Sequence, residues 1–359
     1  NIIPQYIKDY WFITCFTIIQ IWFLQKIKYL PKESISLDYK NIMTKIIIFV
    51  FGIGIFITGA RGGLQLKPIK PINAGELSGS KNTALILNTP FCILHSIVSS
   101  QLQIKKYFTE EKIEFIYSPL QDSIPSLISK KNIIILIMES YSKEFVGFYN
   151  NKIGYTPFLD SLMRYSLVFT NAYANGLKSI EALPAITASI PTLMNNPFIT
   201  SDYAQNRFSS IPSLLNLQGY NTSLYHGGIR GTMGFYSFSK KAGFTNYFGM
   251  EEYNDDSDFD GTWGIYDGPF LNFFLNNLNH KEEPFFSTFF SLSSHPPYSV
   301  PKNYTKKYLA NKKTIGITET ILYSDYCMQN FFEKAKNQEW FKNTIFIITA
   351  DHSSPISYN

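Results

Sequence analysis

Asn132-Ile-Ile-Ile-Leu-Ile-Met138 is a continuous apolar run that ends directly before Glu139-Ser140. Thr344-Ile-Phe-Ile-Ile-Thr-Ala350 is a second such run, and it ends directly before Asp351-His352. Runs of this length that are rich in β-branched residues suit parallel strands buried on both faces. Ligands of open α/β sheets bind just past the carboxyl ends of such strands. Because a buried strand has no structural need for acidic residues at its end, the two stretches predict a cation site at one sheet edge.

Between these runs, apolar strand-like segments alternate with amphipathic segments. We predict strands at 167–172, 220–225 and 285–292, in addition to the two runs above. We predict helices at 180–190, 211–217, 269–278 and 318–336. Such alternation predicts an α/β fold, a three-layer α/β/α sandwich around a mostly parallel sheet.

The first 63 residues favour membrane association. Only 16% of the chain is charged, whereas a typical soluble domain carries about 25%. Residues 10–25 and 46–60 are uncharged apolar runs with basic flanks, and each would span roughly 23 Å as a helix. We predict two transmembrane helices; the alternative is two buried core helices of a soluble protein. The lysine-rich loop between them predicts a cytoplasmic loop, with everything after Arg61 outside the cytoplasm.

These patterns divide the chain into three predicted regions. Residues 1–63 would hold two transmembrane helices and their cytoplasmic loop, 64–130 a juxtamembrane linker and helix, and 131–359 the α/β domain. Pro119 and Pro125 mark the linker into the first strand. Because the chain starts at Asn1 without a methionine and stops soon after His352, we expect a fragment whose α/β domain is truncated at its C-terminus.

Charge and cysteine content exclude several classes of protein. The net charge is +5, but the lysines are spread along the chain and form no basic-aromatic stripe, so we expect no nucleic-acid partner. Cys15, Cys92 and Cys327 are far apart and form no CxxC motif. A disulfide framework or a zinc-thiolate site is therefore disfavoured, and we expect all three to be small buried apolar residues.

Three of the five histidines follow predicted strands. His226 precedes Gly227-Gly228, His295 lies in Ser293-Ser294-His295-Pro296-Pro297, and His352 ends the last apolar run. A single histidine in a loop is most often a hydrogen-bonding surface residue. Three histidines at one edge of a sheet, together with Glu139 and Asp351, instead favour one shared crevice.

The residue types in this crevice favour a hard or borderline divalent cation. Two carboxylates and an imidazole suit Mn²⁺, Zn²⁺ or Mg²⁺ better than a thiophilic metal. Ser179 lies in Gly176-Leu-Lys-Ser179-Ile-Glu181, a turn that leads into a predicted helix. A hydroxyl there can point at the cation and become a nucleophile, and the helix N-terminus favours a phosphate. The alternative is that Ser179 simply caps the helix.

Five motifs occur in a specific order from about residue 132 to the end of the chain. They are Met-Glu-Ser after an apolar strand, a Gly-x-Lys-Ser turn before a helix, His-Gly after a strand, Ser-x-His-x-Pro-Tyr, and Ala-Asp-His at the last strand. In this order they resemble the lipoteichoic acid synthase-like phosphoglycerol transferases of the alkaline phosphatase/sulfatase superfamily. Two membrane helices before the domain also fit the layout of that family.

The resemblance implies a set of roles for the candidate residues. One divalent cation, usually manganese in the closest relatives and with Mg²⁺ or Zn²⁺ as alternatives, would be ligated by Glu139, Ser179, Asp351 and His352. Ser179 stands where those enzymes carry a threonine nucleophile. His226 and His295 would contact the phosphate and the leaving group. To these we add Lys178 and Arg230 as predicted substrate-binding residues.

The sequence also departs from the family pattern. The Trp-x-Arg that follows the first histidine in lipoteichoic acid synthase is unmatched, since Met233 and Phe235 fall near those places. The Cys/Ser-x-Pro-x-Arg motif of classical sulfatases is absent, which disfavours a formylglycine sulfatase. Residues 261–267 look like a pocket-wall segment of these enzymes, although Trp263 could equally belong to the core.

The resemblance implies a transferase at the bacterial cytoplasmic membrane, with its catalytic domain on the extracytoplasmic side. It would move phosphoglycerol, or a similar headgroup, from a phospholipid donor to a hydroxyl of a glycan or polymer acceptor. The reaction would pass through a covalent Ser179 intermediate. The alternatives are a sulfatase-like hydrolase or phosphodiesterase, a phosphoethanolamine transferase, and an inactive binding protein on the same fold.

Overall fold

The computed structural model describes residues 11–28, 42–64, 68–78, 86–97, 102, 106–117, 130–309 and 314–354. The predicted linker around Pro119 and Pro125 lies outside the described residues. The chain forms two compact units, Asn1–Gln65 and Leu66–Asn359.

The first unit contains two helices that fall on the predicted apolar runs, α1 (Trp11–Lys28) and α2 (Ile42–Arg61). In the part of the chain that the structure describes, α2 is the one helix long and apolar enough to cross a membrane, with a mean hydropathy of 2.2. None of that apolar window is buried inside the protein, unlike a core helix of a soluble domain. Length and composition thus favour a membrane segment at α2, and a second one at α1 stays a prediction.

The second unit is built from helices around one sheet. Its strands are β1 (Asn132–Met138), β2 (Asn221–His226), β3 (Asn246–Phe248), β4 (Phe285–Phe290) and β5 (Thr344–Ala350). Its helices are α3 (Ala74–Ser78), α4 (Thr89–Ile97), α5 (Glu110–Ile116), α6 (Pro157–Met163), α7 (Ser179–Ala188), α8 (Ile211–Leu217), α9 (Phe235–Ala242), α10 (Met250–Tyr253), α11 (Asp267–Leu278), α12 (Lys302–Tyr308) and α13 (Ile317–Ala335).

All strand pairs in the sheet are parallel, in the order β3-β2-β4-β1-β5. Strand β1 lies between β4 and β5, with Met138 opposite Ala350 and Ile137 opposite Phe290. The carboxyl ends of these three strands therefore lie side by side. This arrangement confirms the predicted α/β fold with a parallel sheet.

Alternate residues of β1 point to opposite faces of the sheet and enter two separate cores. Ile134, Leu136 and Met138 pack in a cluster with residues of α11 and α13. Ile135 and Ile137 pack in a second cluster with residues of α7 and α9. Helices thus cover both faces, which makes the unit a three-layer sandwich.

Aromatic rings fill much of the first core. Phe274 of α11 is fully buried, and its ring lies 4.7 Å from Tyr225, 5.4 Å from Phe289 and 5.6 Å from Phe331 between ring centroids. Offset and edge-to-face contacts at these distances stabilise a core beyond the burial of the ring area. Through these contacts the single side chain of Phe274 links α11 to β2, β4 and α13.

Two predictions about the fold are wrong. Residues 167–172 form no strand, and Leu167 and Phe169 are largely exposed. The β-branched and aromatic composition of this segment favoured a strand, but the structure gives it no neighbouring strand to pair with. The cysteines also differ from expectation, because only Cys327 is buried, Cys92 is half-buried and Cys15 is exposed.

We expect Phe274→Ala to lower the free energy of unfolding by about 3–5 kcal/mol, because truncation leaves a cavity among the surrounding rings. Urea denaturation of the full chain, followed by tryptophan fluorescence, measures the loss. The control Phe115→Ala, at a position that is 91% exposed, should change stability by less than about 0.5 kcal/mol. Equal effects of the two substitutions would contradict the assigned core.

Candidate active site

Glu139 and Asp351 are held together at the carboxyl ends of β1 and β5. The N–H of Ser140 donates to Asp351 Oδ1 at 2.8 Å, and the Ser140 hydroxyl donates to Glu139 Oε1 at 2.9 Å. Ser140 adopts a left-handed backbone conformation, φ 59°, which turns the chain sharply after β1. The N–H of Glu139 donates to Ser291 Oγ at 2.7 Å, so the segment after β4 is tied in as well.

Ser179 enters this cluster from the N-terminus of α7. It is the first residue of that helix, and Lys178 is the capping residue. The alternative role of Ser179 as a simple helix cap is therefore wrong. Its buried hydroxyl donates instead to Glu139 Oε2 at 2.9 Å and lies 3.2 Å from His352 Nε2.

The orientation of His352 leaves one ring nitrogen available in the cluster. His352 Nδ1 lies 2.9 Å from the carbonyl oxygen of Ser353. Because a carbonyl can only accept, Nδ1 carries a proton, and Nε2 faces Ser179 and the two carboxylates. The charged ring holds a second proton at Nε2, and loss of that proton would leave a lone pair for a cation. A backbone carbonyl that fixes the tautomer in this way is typical of metal-ligating histidines.

The electrostatics of the cluster favour the binding of a positive charge. Burial and the nearby Asp351 carboxylate raise the pKa of Glu139 to about 8. Burial disfavours the charged His352 ring, but the Asp351 and Glu139 carboxylates outweigh this and raise the pKa of His352 to about 9. The charged form of Glu139 is therefore unfavourable in this cluster, and a divalent cation would stabilise it.

The same residues fit a divalent cation. Glu139, Asp351 and His352 each offer a ligand atom within 4.8 Å of the others, and all three residues are buried. Asp351 Oδ2 has no hydrogen-bond partner among the described residues; it lies 3.1 Å from His352 Nε2 without hydrogen-bond geometry. Oxygen and imidazole donors with one hydroxyl suit Mn²⁺, Zn²⁺ or Mg²⁺. The structure therefore brings the four predicted ligands together, including Ser179.

His226 ends β2 and packs against two aromatic rings that also contact each other. Its ring lies 5.0 Å from Phe235 and 5.8 Å from Phe290 between centroids. Burial, with a smaller contribution from the charge of His295, lowers the pKa of His226 to about 3. His226 is therefore neutral at physiological pH and can exchange hydrogen bonds but carries no charge.

His295 lies on the loop after β4, half-buried. Its Nδ1 is 2.9 Å from the carbonyl oxygen of Pro296, and its ring lies 4.3 Å from that of Trp263. The Trp263 indole N–H donates to the same Pro296 oxygen at 2.6 Å. The aromatic residue that could have belonged to the core instead supports a candidate catalytic histidine.

The segment that carries Trp263 also contacts the loop of His226. Ile265 donates its N–H to Gly227 O at 2.9 Å. A Cβ on Gly264 would approach that oxygen to 2.2 Å, and a Cβ on Gly228 would approach the His226 ring to 2.7 Å. Gly228 and Gly264 are thus required for the close approach of the two segments. One segment therefore connects both histidine loops.

The two cationic residues that were predicted to bind substrate, Lys178 and Arg230, differ in their contacts. Lys178 is exposed beside Ser179. The Arg230 guanidinium donates to the Glu252 carboxylate and lies 5.0 Å from the ring centre of Tyr236. The backbone N–H of Arg230 donates to the Glu251 carboxylate. These contacts already neutralise its charge, and the role of both cations in substrate binding stays a prediction.

Sequence reasoning missed the role of Asp267, a buried residue that supports the loop carrying His295. Asp267 is buried and accepts from the N–H groups of Leu292 at 2.8 Å and Ser293 at 3.3 Å. It therefore fixes the start of the loop that carries His295. Its place in the 261–267 segment was a usable signal, but nothing in the sequence shows that its carboxylate faces the backbone after β4.

A family model described as Sulfatase matches residues 131–359. The chain belongs to the sulfatase family. Lipoteichoic acid synthase 1 of Bacillus subtilis (strain 168) is 23% identical over 233 residues, which cover 62% of this chain and 36% of that protein. The lipoteichoic acid synthase of Staphylococcus aureus (strain USA300) is 22% identical over 239 residues, with the same coverage. The chain thus spans about a third of the length of these relatives.

Solved structures confirm the sulfatase-type fold. A protein of the alkaline phosphatase superfamily from Vibrio parahaemolyticus is 31% identical, with a TM-score of 0.59 over 65% of this chain and 57% of that chain. The lipoteichoic acid synthase LtaP from Listeria monocytogenes is 20% identical, with a TM-score of 0.53 over 63% and 57%. The predicted resemblance to lipoteichoic acid synthase-like members of this superfamily is confirmed.

We expect Mn²⁺ to stabilise the protein, by about 2.7 kcal/mol at a concentration 100-fold above its dissociation constant. Thermal unfolding of the full chain, before and after a chelator, measures the shift. Asp351→Asn should lose most of it, because the substitution removes one ligand charge. The control Glu333→Gln, an exposed carboxylate on α13, should respond like the wild type. An unchanged Tm on adding Mn²⁺ would overturn the cation site.

We expect the buried, neutral His226 to make the protein less stable in acid. Between about pH 6.5 and 3 the unfolded chain binds a proton at His226 that the folded protein does not. Stability should therefore fall with decreasing pH by up to about 1.4 kcal/mol per pH unit from this residue. His226→Gln should reduce that slope in urea titrations, whereas the exposed control His280→Gln should not. A slope unaffected by His226→Gln would contradict the burial of a neutral ring.

Proposed function

We propose that this sulfatase-family chain is a metal-dependent transferase. It moves a phosphoglycerol, or a similar phospho-headgroup, from a phospholipid to a hydroxyl of a glycan or polymer. The observation that carries the proposal is the position of the Ser179 hydroxyl, which is buried between Glu139 Oε2 and His352 Nε2 at the N-terminus of a helix. A hydroxyl in that setting is a nucleophile aimed at a phosphate-binding position.

A divalent cation held by Glu139, Asp351, His352 and Ser179 would lower the pKa of the serine hydroxyl and offset negative charge on the phosphoryl oxygens. In the first step, Ser179 Oγ forms a bond to phosphorus while the bond between phosphorus and the lipid alcohol oxygen breaks. The Ser179 proton passes along its hydrogen bond to Glu139 Oε2. The lipid alcohol leaves with the bonding electrons and takes up a proton.

His295 is the residue that we assign to this proton. Its Nδ1 donates to the Pro296 carbonyl, so its Nε2 is the nitrogen that gains and loses the catalytic proton. His226 stays neutral because burial lowers its pKa to about 3, and it therefore contributes a hydrogen bond rather than a charge. The two histidines thus have different tasks although both follow strands.

In the second step, an acceptor hydroxyl attacks the phosphorus of phospho-Ser179. His295, now neutral, takes the proton of the acceptor, and the bond between phosphorus and Ser179 Oγ breaks. Ser179 recovers a proton from Glu139, which restores the starting state. With water as the acceptor the same steps give hydrolysis, so the chemical nature of the acceptor decides between transferase and hydrolase.

The N-terminal unit supports a lipid donor. Helix α2 is long and apolar enough for a membrane segment, and we propose that it and α1 anchor the chain in a bacterial cytoplasmic membrane. The catalytic unit would then lie on the extracytoplasmic side, because the lysine-rich loop between α1 and α2 favours the cytoplasmic side. An anchored enzyme stays close to a donor that never leaves the bilayer.

We expect Ser179→Ala to reduce headgroup transfer at least about 10³-fold, because the residue that forms the covalent intermediate is removed. Vesicles of phosphatidylglycerol with the full chain and Mn²⁺ provide the assay, with diacylglycerol release as the rate. Mass spectrometry of the trapped protein should find the phospho-adduct on Ser179 in the wild type only.

Two control variants sharpen this test. Ser179→Thr should retain activity, because it keeps a hydroxyl at the same position, and the exposed Ser166→Ala should behave like the wild type. Wild-type rates for Ser179→Ala would show that the nucleophile is wrong. Release of free headgroup phosphate in the presence of glycan acceptors, without modified glycan, would favour the hydrolase.

A further inference from the structure

Tyr298 is held in an unusual position beside His295. It follows Pro296 and Pro297 on the loop after β4, and its N–H donates to the carbonyl of His295 at 3.1 Å. This bond closes a tight turn around the two prolines. The φ of Tyr298 is 54°, in the left-handed region that an aromatic residue rarely adopts. Strained backbone of this kind concentrates at functional sites, where the surrounding structure maintains it.

Tyr298 is half-buried, and its hydroxyl oxygen lies in the buried part of the side chain. The ring packs against the core cluster that includes Met138, the residue directly before Glu139. The phenol oxygen is buried and has no hydrogen-bond partner among the described residues. Buried tyrosine hydroxyls normally find a partner, because leaving one unpaired costs free energy. An unpaired hydroxyl held on a strained turn indicates a partner that arrives with a ligand.

The electrostatics are consistent with a hydrogen-bond donor near the cluster. Burial, and then the charge of Glu139, raise the pKa of Tyr298. The phenol therefore keeps its proton and lies within electrostatic range of Glu139. A protonated phenol can donate a hydrogen bond to an anionic oxygen, but it does not act as a base.

We propose that the Tyr298 hydroxyl is a further substrate-contacting group, which donates a hydrogen bond to a phosphoryl oxygen of the group bound at Ser179. The proposal rests on the phosphoryl chemistry of the proposed function and adds a donor to it. Its place on the turn of His295 makes one short loop supply both the proton-transferring group and an oxyanion donor. The ligand class is a tetrahedral phosphate ester or inorganic phosphate.

The test uses Tyr298→Phe in the full chain loaded with Mn²⁺, which removes only the hydroxyl. We expect the turnover of phosphatidylglycerol vesicles to fall about 100-fold, as for other oxyanion donors. Binding of inorganic phosphate, measured by calorimetry, should weaken about 10-fold. The dissociation constant of Mn²⁺ should stay within about twofold of the wild-type value. The Tm should stay within a few degrees of that of the wild type. The matched control is Tyr247→Phe, a second buried and unpartnered phenol, on β3, which should leave all of these values unchanged.

The outcomes separate this inference from the proposed function. Unchanged turnover and phosphate binding in Tyr298→Phe would overturn the inference, and the proposed function would survive if the wild type still transfers headgroups. Weaker Mn²⁺ binding in the variant would also overturn the inference. The phenol would then support the cation ligands, which are Glu139, Ser179, Asp351 and His352, and not the phosphoryl group. A wild type that binds phosphate through Tyr298 but transfers no headgroup would support the inference and reject the proposed function. A wild type that neither binds phosphate nor turns over lipid would overturn both.

Discussion

The parallel pairing of β1 with β5 is the constraint on which the site depends. Seven consecutive residue pairs, from Asn132 opposite Thr344 to Met138 opposite Ala350, fix the relative height of the two strands. A shift by one residue would move every side chain of a strand to the opposite face. Because this register is fixed, Glu139 and Asp351 leave the sheet at the same level and face each other. The hydrogen bond from Ser140 N–H to Asp351 Oδ1 then fixes the two strand ends together.

That proximity imposes an electrostatic cost on the folded chain. Glu139 and Asp351 are 3% and 2% exposed, and burial together with the Asp351 charge disfavours the ionised form of Glu139. Three effects reduce this cost: protonation of Glu139, the positive charge of His352, and the hydrogen bonds donated by Ser140. A divalent cation would replace all three compensations at once, and it would release the protons involved. The cluster is therefore more easily explained as a binding site than as a structural network, since an apolar replacement would fold with less cost.

The sequence predicts the parts of the molecule that depend on local pattern. Apolar runs identified β1 and β5 with their full bounds, and the residues directly after them are the predicted ligands. The segment at 167–172 failed because strand composition alone does not supply a neighbouring strand, which depends on the whole topology. The partners of Arg230 could not be predicted either, because Glu251 and Glu252 reach it only through the packing of α10 beside the His226 loop. Tyr298 was visible as part of a motif, but its unpaired hydroxyl is a property of burial that no spacing reveals.

The candidate site has two parts, one at the carboxyl ends of the strands and one on the loops that follow β2 and β4. The cation cluster is built from the residues directly after β1 and β5 and from the first turn of α7, and every one of these is fixed by strand register or helix position. The histidines and Tyr298 lie on the loops after β2 and β4, which are connected through Trp263 and Ile265 by only a few contacts. The unmatched Trp-x-Arg falls on the loop side, since Met233, with φ 51°, occupies a kinked turn after the first histidine. The change of threonine to serine at position 179 lies in the cation cluster and keeps the hydroxyl. Under the proposed function, the headgroup contacts can therefore diverge within the family while the nucleophile and its cation ligands stay in place.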